Sequence, residues 1–390
     1  MKNLWVFMKI GIFFHGPKIF DKGLARELIQ SSKSLGETEA LINGPMGSTA
    51  CFDTFLDDIV CIEDLKSSSC LSKLARNNDL VIVATYSKNP DSGFAYCWHV
   101  INRSDIPQDV SLIQIEFSSG TFIPWHIYHN YNGKIIDEVI KELVAKFSLT
   151  IKEPPEFGRV LWHDGEKTFR KVLAVEPGDF VLINGLNMGR AISNDVIVVE
   201  KGGTIVEIKN ISPKKESLEK LSKMHEIELD KIKIDTTKSL RDYEMYYHPR
   251  VSGQNDLNII TDRTGIGFLD HAGYDIYRII KNCNGLVSIG DDTTSVVSDI
   301  AYRFNVPVIG IIDQDRDHLL NNVYVHEDSE VFIVKKDDDA GKIIFNELFN
   351  KNDVIDTPFD KVKEKIFDLL DRRGILIKRL PMKDVYTFIK

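Results

Sequence analysis

A chain of 390 residues is too long for one ordinary core, and a net charge of −9 argues against a protein that grips nucleic acid over its whole surface. Apolar residues at 43 % and charged residues at 27 % give the profile of a soluble globular chain, and no apolar run reaches the roughly 18 residues that a membrane helix needs. The five cysteines, Cys51, Cys61, Cys70, Cys97 and Cys283, are scattered, with no C-x-x-C pair. Reduced, mostly buried thiols in a cytoplasmic protein are therefore expected, and neither a zinc site nor a disulfide framework.

The chain opens "MKNLWVFMKIGIFFHGPK". Lys9 interrupts the apolar run, no small-residue cleavage site follows, and His15-Gly16-Pro17 closes it after a strand's length, so Met8 to Phe14 reads as a first strand and not as a signal peptide. Residues 1–7 are a ragged extension, or translation starts at Met8. From there to Phe147 short apolar runs ("KIGIFF", "EALI", "DIVCI", "DLVIVAT", "VSLIQIEF") alternate with helix-like stretches at Lys22–Ser34, Ser48–Leu56, Leu65–Ala75, Phe94–Asn102 and Ile135–Phe147. Such alternation predicts a parallel sheet covered by helices on both faces, a flavodoxin- or Rossmann-like three-layer α/β/α domain over residues 1–151.

Two loops of this domain fall on the edge where open α/β sheets bind ligands. "INGPMGSTA" runs from a strand into a Gly/Pro turn, and Gly44, Gly47, Ser48 and Thr49 offer close backbone approach and hydroxyls to an anion. It lacks the lysine of a Walker A loop. "FHGP" with His15 and "TYSKNPDSG" with Ser87 and Lys88 sit on the same expected edge, so a shared polar cleft is expected. Turn chemistry alone also accounts for the glycines and proline. In "SSGTFIPWHIYHN", Pro124 and the aromatics favour a loop or packed corner over a metal site built on His126 and His129.

Pro154-Pro155 marks a linker. Residues 152–212 then read as a small antiparallel β-unit with Gly-containing turns, "EKGGT" among them. A helix in "SPKKESLEKLSKMHEI" and the strands "LNIITD", "GLVSIG", "VPVIGIID" and "EVFIVKK" define a C-terminal α/β domain over 213–350, followed by a helix and strand extension over 351–390. "MYYHPRVSGQND", with His248 and Arg250, precedes the first of these strands and reads either as a substrate-facing loop or as a packed surface.

"GLVSIGDDTTSVVSDIAYRFNVPVIGIIDQDRD" is a strand, an acidic turn, a helix and a second strand ending in acid. A connection this short makes the strands parallel near neighbours, so both acidic turns fall at one carboxyl edge. Asp291, Asp292, Asp313 and Asp315 would converge there and favour Mg²⁺ or Mn²⁺, which prefer oxygen ligands. Thr293 and Thr294 at the helix start, with Asp262 and Arg263 of "TDRTGIGFLDHAG", would hold a phosphate, and Asp317 would orient a ligand or water. The competing reading is that Asp and Thr are ordinary helix caps beside a solvated loop. "KKDDDAGK" reads as such a solvated helix start.

Asp313-Gln314-Asp315 resembles the D-x-D of Toprim domains, in which an acid ending one strand and a D-x-D ending a later one bind Mg²⁺; here Gly290-Asp291-Asp292 stands where the usual glutamate would be. "IGDD" followed by "IGIID" is also similar to the phosphate-binding turn of phosphofructokinase and NAD-kinase types, without its second glycine. Taken together, "MKIGIFFHGP", "INGPMGSTA", "GDDTT" and "IIDQDRD" resemble an uncharacterised protein family of methanogenic archaea from Met8 onward. That resemblance implies an archaeal cytosolic protein and supplies no catalytic residues.

The expectation is an α/β protein whose C-terminal Toprim-like or Rossmann-like domain performs Mg-dependent binding of, or chemistry on, a small phosphorylated ligand or nucleotide. Phosphotransfer and phosphoester hydrolysis are the reactions such a site would run. A non-catalytic nucleotide-responsive module and a Toprim-type nucleic-acid enzyme are the alternatives. The absence of a basic cluster around the acidic turns disfavours nucleic acid as partner.

Overall fold

The computed structural model describes residues 8–128, 133–214, 227–241, 249–251, 264–270, 275–320 and 323–386. They fall into two compact units, Met1–Lys238 and Ser239–Lys390.

In the first unit "KIGIFFH" forms β1 (Lys9–His15), and its alternate side chains enter two different cores. Ile10, Ile12 and Phe14 pack with Leu28, Ile29, Val139 and Leu143, while Phe13 packs with Leu71, Leu74, Cys97 and Val100. Helices therefore cover both faces: α2 (Leu24–Leu35) and α6 (Gly133–Lys146) on one, α4 (Ser67–Asn77) and α5 (Pro90–Ile101) on the other. Each large aliphatic side chain fully removed from water contributes about 1.5–3 kcal/mol, so this two-faced burial is what holds the sheet. The sheet order is β3 (Cys61–Glu63), β2 (Glu37–Asn43), β1, β4 (Leu80–Thr85), β5 (Ser111–Glu116), β6 (Thr121–His126) and β7 (Thr150–Ile151). β3 to β5 are parallel, and the order reverses between β1 and β4.

One expectation fails here. "TFIPWH" is strand β6, antiparallel to β5, and not a loop. Pro124 is accommodated beside a register shift between Leu112 and Ile113. His126 lies exposed at its end, with Nε2 3.0 Å from the Gln108 carbonyl oxygen, and His129 lies outside the described residues.

The β-unit comprises two four-stranded sheets, built on β9 (Lys167–Lys171) and β12 (Ile197–Lys201), and on β10 (Phe180–Ile183) and β11 (Leu186–Ala191), around one core of Val181, Ile183, Met188, Val198 and Ile205. β15 (Ile234–Thr237) pairs antiparallel with β10, so the segment before Lys238 completes this unit instead of opening the next domain at 213. The helix expected between Ser212 and Ile227 lies largely outside the described residues.

The second unit holds a sheet ordered β20 (Val354–Ile355), β16 (Gly265–Asp270), β17 (Cys283–Ile289), β18 (Val308–Ile312), β19 (Glu330–Val334) and β21 (Leu376–Pro381), with β16 to β19 parallel. "GIGFLD" is strand β16. Its glycines exist for packing: a Cβ on Gly267 would stand 2.3 Å from Ile279. The expected strand "LNIITD", and His248, lie outside the described residues. Helices α9 (Asp337–Glu347) and α10 (Phe359–Arg372) pack on Ile289, Ile309, Ile311 and Phe332. α8 (Asp291–Arg303) lies on the opposite face, against β17 and β18.

Close approach of α8 to β18 depends on Gly310, where a Cβ would meet Thr294 Cγ2 at 2.5 Å. We predict that Gly310→Ala destabilises this unit by about 1–3 kcal/mol through overpacking. Thr294→Ala should recover at least half of that loss in the double variant, because the two sites share one contact. Denaturant unfolding of the four proteins measures the coupling, and strict additivity would contradict the packing account.

Candidate metal centre

Three neighbouring parallel strands deliver acids to one edge. β17 ends at Ile289, and Gly290 turns the chain into α8 with φ 97° and ψ 142°, a conformation open to glycine and strained for other residues. Asp291 follows as the first helical residue and is only 5 % exposed. Its Oδ2 accepts from the backbone N–H groups of Asp313 and Gln314, both at 3.1 Å, which ties the β17 turn to the end of β18. Oxygens of Asp291, Asp313 and Asp315 all lie within 4.8 Å of one another. A cation with bonds of about 2.1 Å spans opposite ligands about 4.2 Å apart, so side-chain shifts of a few tenths of an ångström would close the three on one ion. Asp313 Oδ1 is buried with no hydrogen-bond donor.

Electrostatics record the crowding. Burial, then the charge of Asp315, pushes the Asp291 carboxyl up to about 7, against the pull of the Asp313 N–H. Burial, then the charges of Asp337 and Asp315, pushes Asp313 up to about 6. Asp337 comes from the third strand: it opens α9 after β19, is buried, and its backbone N–H bonds to the Asp313 carboxylate. The expectation of a merely solvated helix start in "KKDDDAGK" is therefore corrected at Asp337, although Asp339 is exposed. Asp337 also follows a strand, β19, but three residues after its end, against two for Asp291 and one for Asp313, so its spacing did not mark it as a partner of the other acids.

Asp292 takes another part. Its Oδ2 accepts from the Asp317 N–H at 3.2 Å and its Oδ1 from the Leu319 N–H at 3.4 Å, so it fastens the far side of the "DQDRD" turn and lies outside the three-carboxylate group. Thr294 is also corrected: it is buried, and its hydroxyl donates to Ser288 Oγ at 3.2 Å, away from any ligand. Thr293 is half-buried in the first turn of α8. Asp262 and Arg263 lie outside the described residues, and Thr264 stands at the amino end of β16, opposite the acidic edge. Sequence reasoning missed Tyr386, carried in after β21. Its hydroxyl donates to the Asp291 carbonyl at 3.1 Å, and the Arg316 guanidinium lies 4.7 Å above its ring.

The loops of the first unit do not form the open cleft expected of them. Gly47, Ser48 and Thr49 are buried in α3 (Pro45–Asp53), and Thr49 Oγ1 donates to the Pro45 carbonyl at 2.7 Å. A Cβ on Gly47 would stand 2.9 Å from Ile42 and 3.6 Å from the Gly16 carbonyl, so the two loops pack on each other. Gly44 serves as the turn residue, with φ 82°. His15 stacks on Tyr96 with ring centroids 3.5 Å apart, and burial, then Lys233, lowers its pKa to about 4. None of the five cysteines forms a disulfide, and Cys61 is exposed.

These features define a two-unit α/β protein with an acidic cluster on the carboxyl edge of its second parallel sheet. The chain belongs to the family described as "Uncharacterized protein conserved in archaea (DUF2117)", whose model matches residues 12–352. An uncharacterised protein of Methanocaldococcus jannaschii is similar at 36 % identity over 370 residues, covering 93 % of this chain and 97 % of the relative. No solved structure matches.

The raised carboxyls set a pH dependence. Asp291 and Asp313 hold protons in the folded state up to about pH 7 and 6 but lose them near pH 4 when unfolded. The folded second unit thus binds more protons in this window, and its stability falls as pH rises from about 4 to 7, the reverse of an ordinary salt-bridged carboxylate. Thermal unfolding in a chelator should show this decline, and Asp291→Asn should flatten most of it. A stability that rises over the same range would contradict the assignment.

Proposed function

We propose that Asp291, Asp313 and Asp315 bind one Mg²⁺ or Mn²⁺, and that this ion carries the phosphate of a small ligand at the carboxyl edge of the second unit. The observation that carries the reading is the convergence of three carboxylates within 4.8 Å, one of which has a buried oxygen with no donor. An uncompensated group of this kind is costly, and a hard divalent cation is its natural complement. Without the ion the carboxylates repel a phosphate; with it they hold one. Thr293 and the first N–H groups of α8 stand beside the ion to receive phosphate oxygens.

A small ligand fits better than a nucleic acid backbone because three arginines of the second unit are engaged internally. Arg303 is buried on Asp299, Arg278 lies between Asp275 and Asp353, and Arg316 is held by the Leu320 carbonyl over Tyr386. Among the described residues no general base or nucleophile stands beside the cluster, so the proposal is metal-dependent ligand binding, with phosphoryl chemistry as its extension. Among the described residues no helix is long and apolar enough to cross a membrane. Cysteines without disulfides are in keeping with a cytoplasmic setting.

Titration calorimetry with MnCl₂ should give one site. Asp313→Asn and Asp291→Asn should each weaken it at least about tenfold, the loss expected when a charged ligand becomes neutral. Asp292→Asn should leave the affinity within about threefold while lowering stability, since its bonds serve the turn. Nucleotides and sugar phosphates should raise the unfolding temperature only with Mg²⁺ present. Unchanged Mn²⁺ affinity in Asp313→Asn would end the proposal.

A further inference from the structure

A short segment after β21 reaches the acidic edge of the second unit. Pro381 leads into one 3₁₀ turn, Met382–Asp384. Met382 is fully buried: its N–H donates to the Ser329 carbonyl at 2.9 Å, and its Sδ accepts from Ser298 Oγ of α8 at 3.0 Å. The N–H groups of Val385 and Tyr386 close back on the Met382 carbonyl at 3.0 and 3.1 Å. This anchored turn delivers the Tyr386 side chain to the start of α8, where Tyr386 is only 1 % exposed.

Tyr386 touches both acidic turns, each with a different part of its side chain. Its hydroxyl donates to the carbonyl of Asp291, in the turn after β17, at 3.1 Å. Its ring carries the guanidinium of Arg316 at 4.7 Å, and Arg316 stands between Asp315 and Asp317 in the turn after β18. Arg316 is itself fixed by the Leu320 carbonyl at 3.0 Å. A phenylalanine would fill the same space without a hydroxyl that must find a partner. Here the partner is the backbone of one proposed ligand, and the ring meets the turn that bears the other two. The N–H groups of Asp313 and Gln314 tie these turns through the Asp291 carboxylate; Tyr386 ties them a second time without using a ligand oxygen. Groups that hold metal ligands in place commonly matter to affinity nearly as much as the ligands do.

We propose that Tyr386 is a positioning residue of the metal centre, holding Asp291 at the separation from Asp313 and Asp315 that one divalent cation needs. The proposal rests on the reading of these three carboxylates as a Mg²⁺ or Mn²⁺ site. Tyr386 touches no ion and takes part in no bond-making step; it acts through the Asp291 backbone and through Arg316. Linkage makes the effect reciprocal: whatever the docked segment adds to ion affinity, the bound ion adds to the docking of the segment.

Titration calorimetry of MnCl₂ into the full chain and into Tyr386→Phe is the test. Phenylalanine keeps the ring under Arg316 and removes only the hydroxyl, so the Kd for Mn²⁺ should rise at least about fivefold, near the loss expected when a group that orients a ligand is removed. Asp292→Asn serves as the control for lost stability, since it lowers the unfolding temperature while leaving the affinity within about threefold. A Tyr386→Phe protein that binds Mn²⁺ as wild type does would end this proposal and leave the metal centre standing. Wild-type protein that binds no Mn²⁺ would end both. The wild type also offers a readout that needs no variant to fold. Hydrogen exchange at the Val385 and Tyr386 amides, both bonded to the Met382 carbonyl, should slow severalfold in saturating Mg²⁺ relative to chelator. Equal exchange rates in the two conditions would also overturn the proposal.

Discussion

Mutual repulsion among carboxylates on one sheet edge is the constraint around which the second unit is arranged. Like charges this close repel by about 1 kcal/mol per pair in water and by more where solvent is excluded. Parallel strands β17, β18 and β19 nevertheless bring Asp291, Asp313 and Asp337 to the same end. The fold opposes the repulsion with backbone N–H donors: Asp313 and Gln314 to Asp291, Asp317 and Leu319 to Asp292. It leaves a remainder in the raised carboxyls of Asp291 and Asp313. The cation proposed for this edge would remove that remainder.

Both sheets place acids at their carboxyl edges, with opposite outcomes. Glu116 meets three donors and is complete within the protein. The cluster at Asp313 is incomplete, with an oxygen that no donor reaches. The surroundings decide the difference. Glu116 receives one N–H from the turn after β5 and one from the turn after β4, whereas the turn after β18 spends its N–H groups on the aspartates of α8.

Much of this was legible in the sequence because period and punctuation agree. Short apolar runs between amphipathic stretches gave the three-layer unit, and the short connection from β17 to β18 placed Asp291 beside Asp313 and Asp315. Legibility ended where tertiary packing overrode local signals. Pro124 read as a breaker but lies in a strand with a register shift. Gly47, Ser48 and Thr49 have the chemistry of an anion turn, yet they are buried in packing that local sequence does not encode. Asp337 and Tyr386 reach the site only through the strand order of the sheet, which no single segment reveals.

Anomalous diffraction at the manganese edge, from crystals grown with Mn²⁺, tests the central claim most directly. A single strong peak should lie about 2.2 Å from oxygens of Asp291, Asp313 and Asp315, in octahedral geometry completed by water. A map with no peak at this edge, or with manganese only on exposed surface carboxylates, would contradict it.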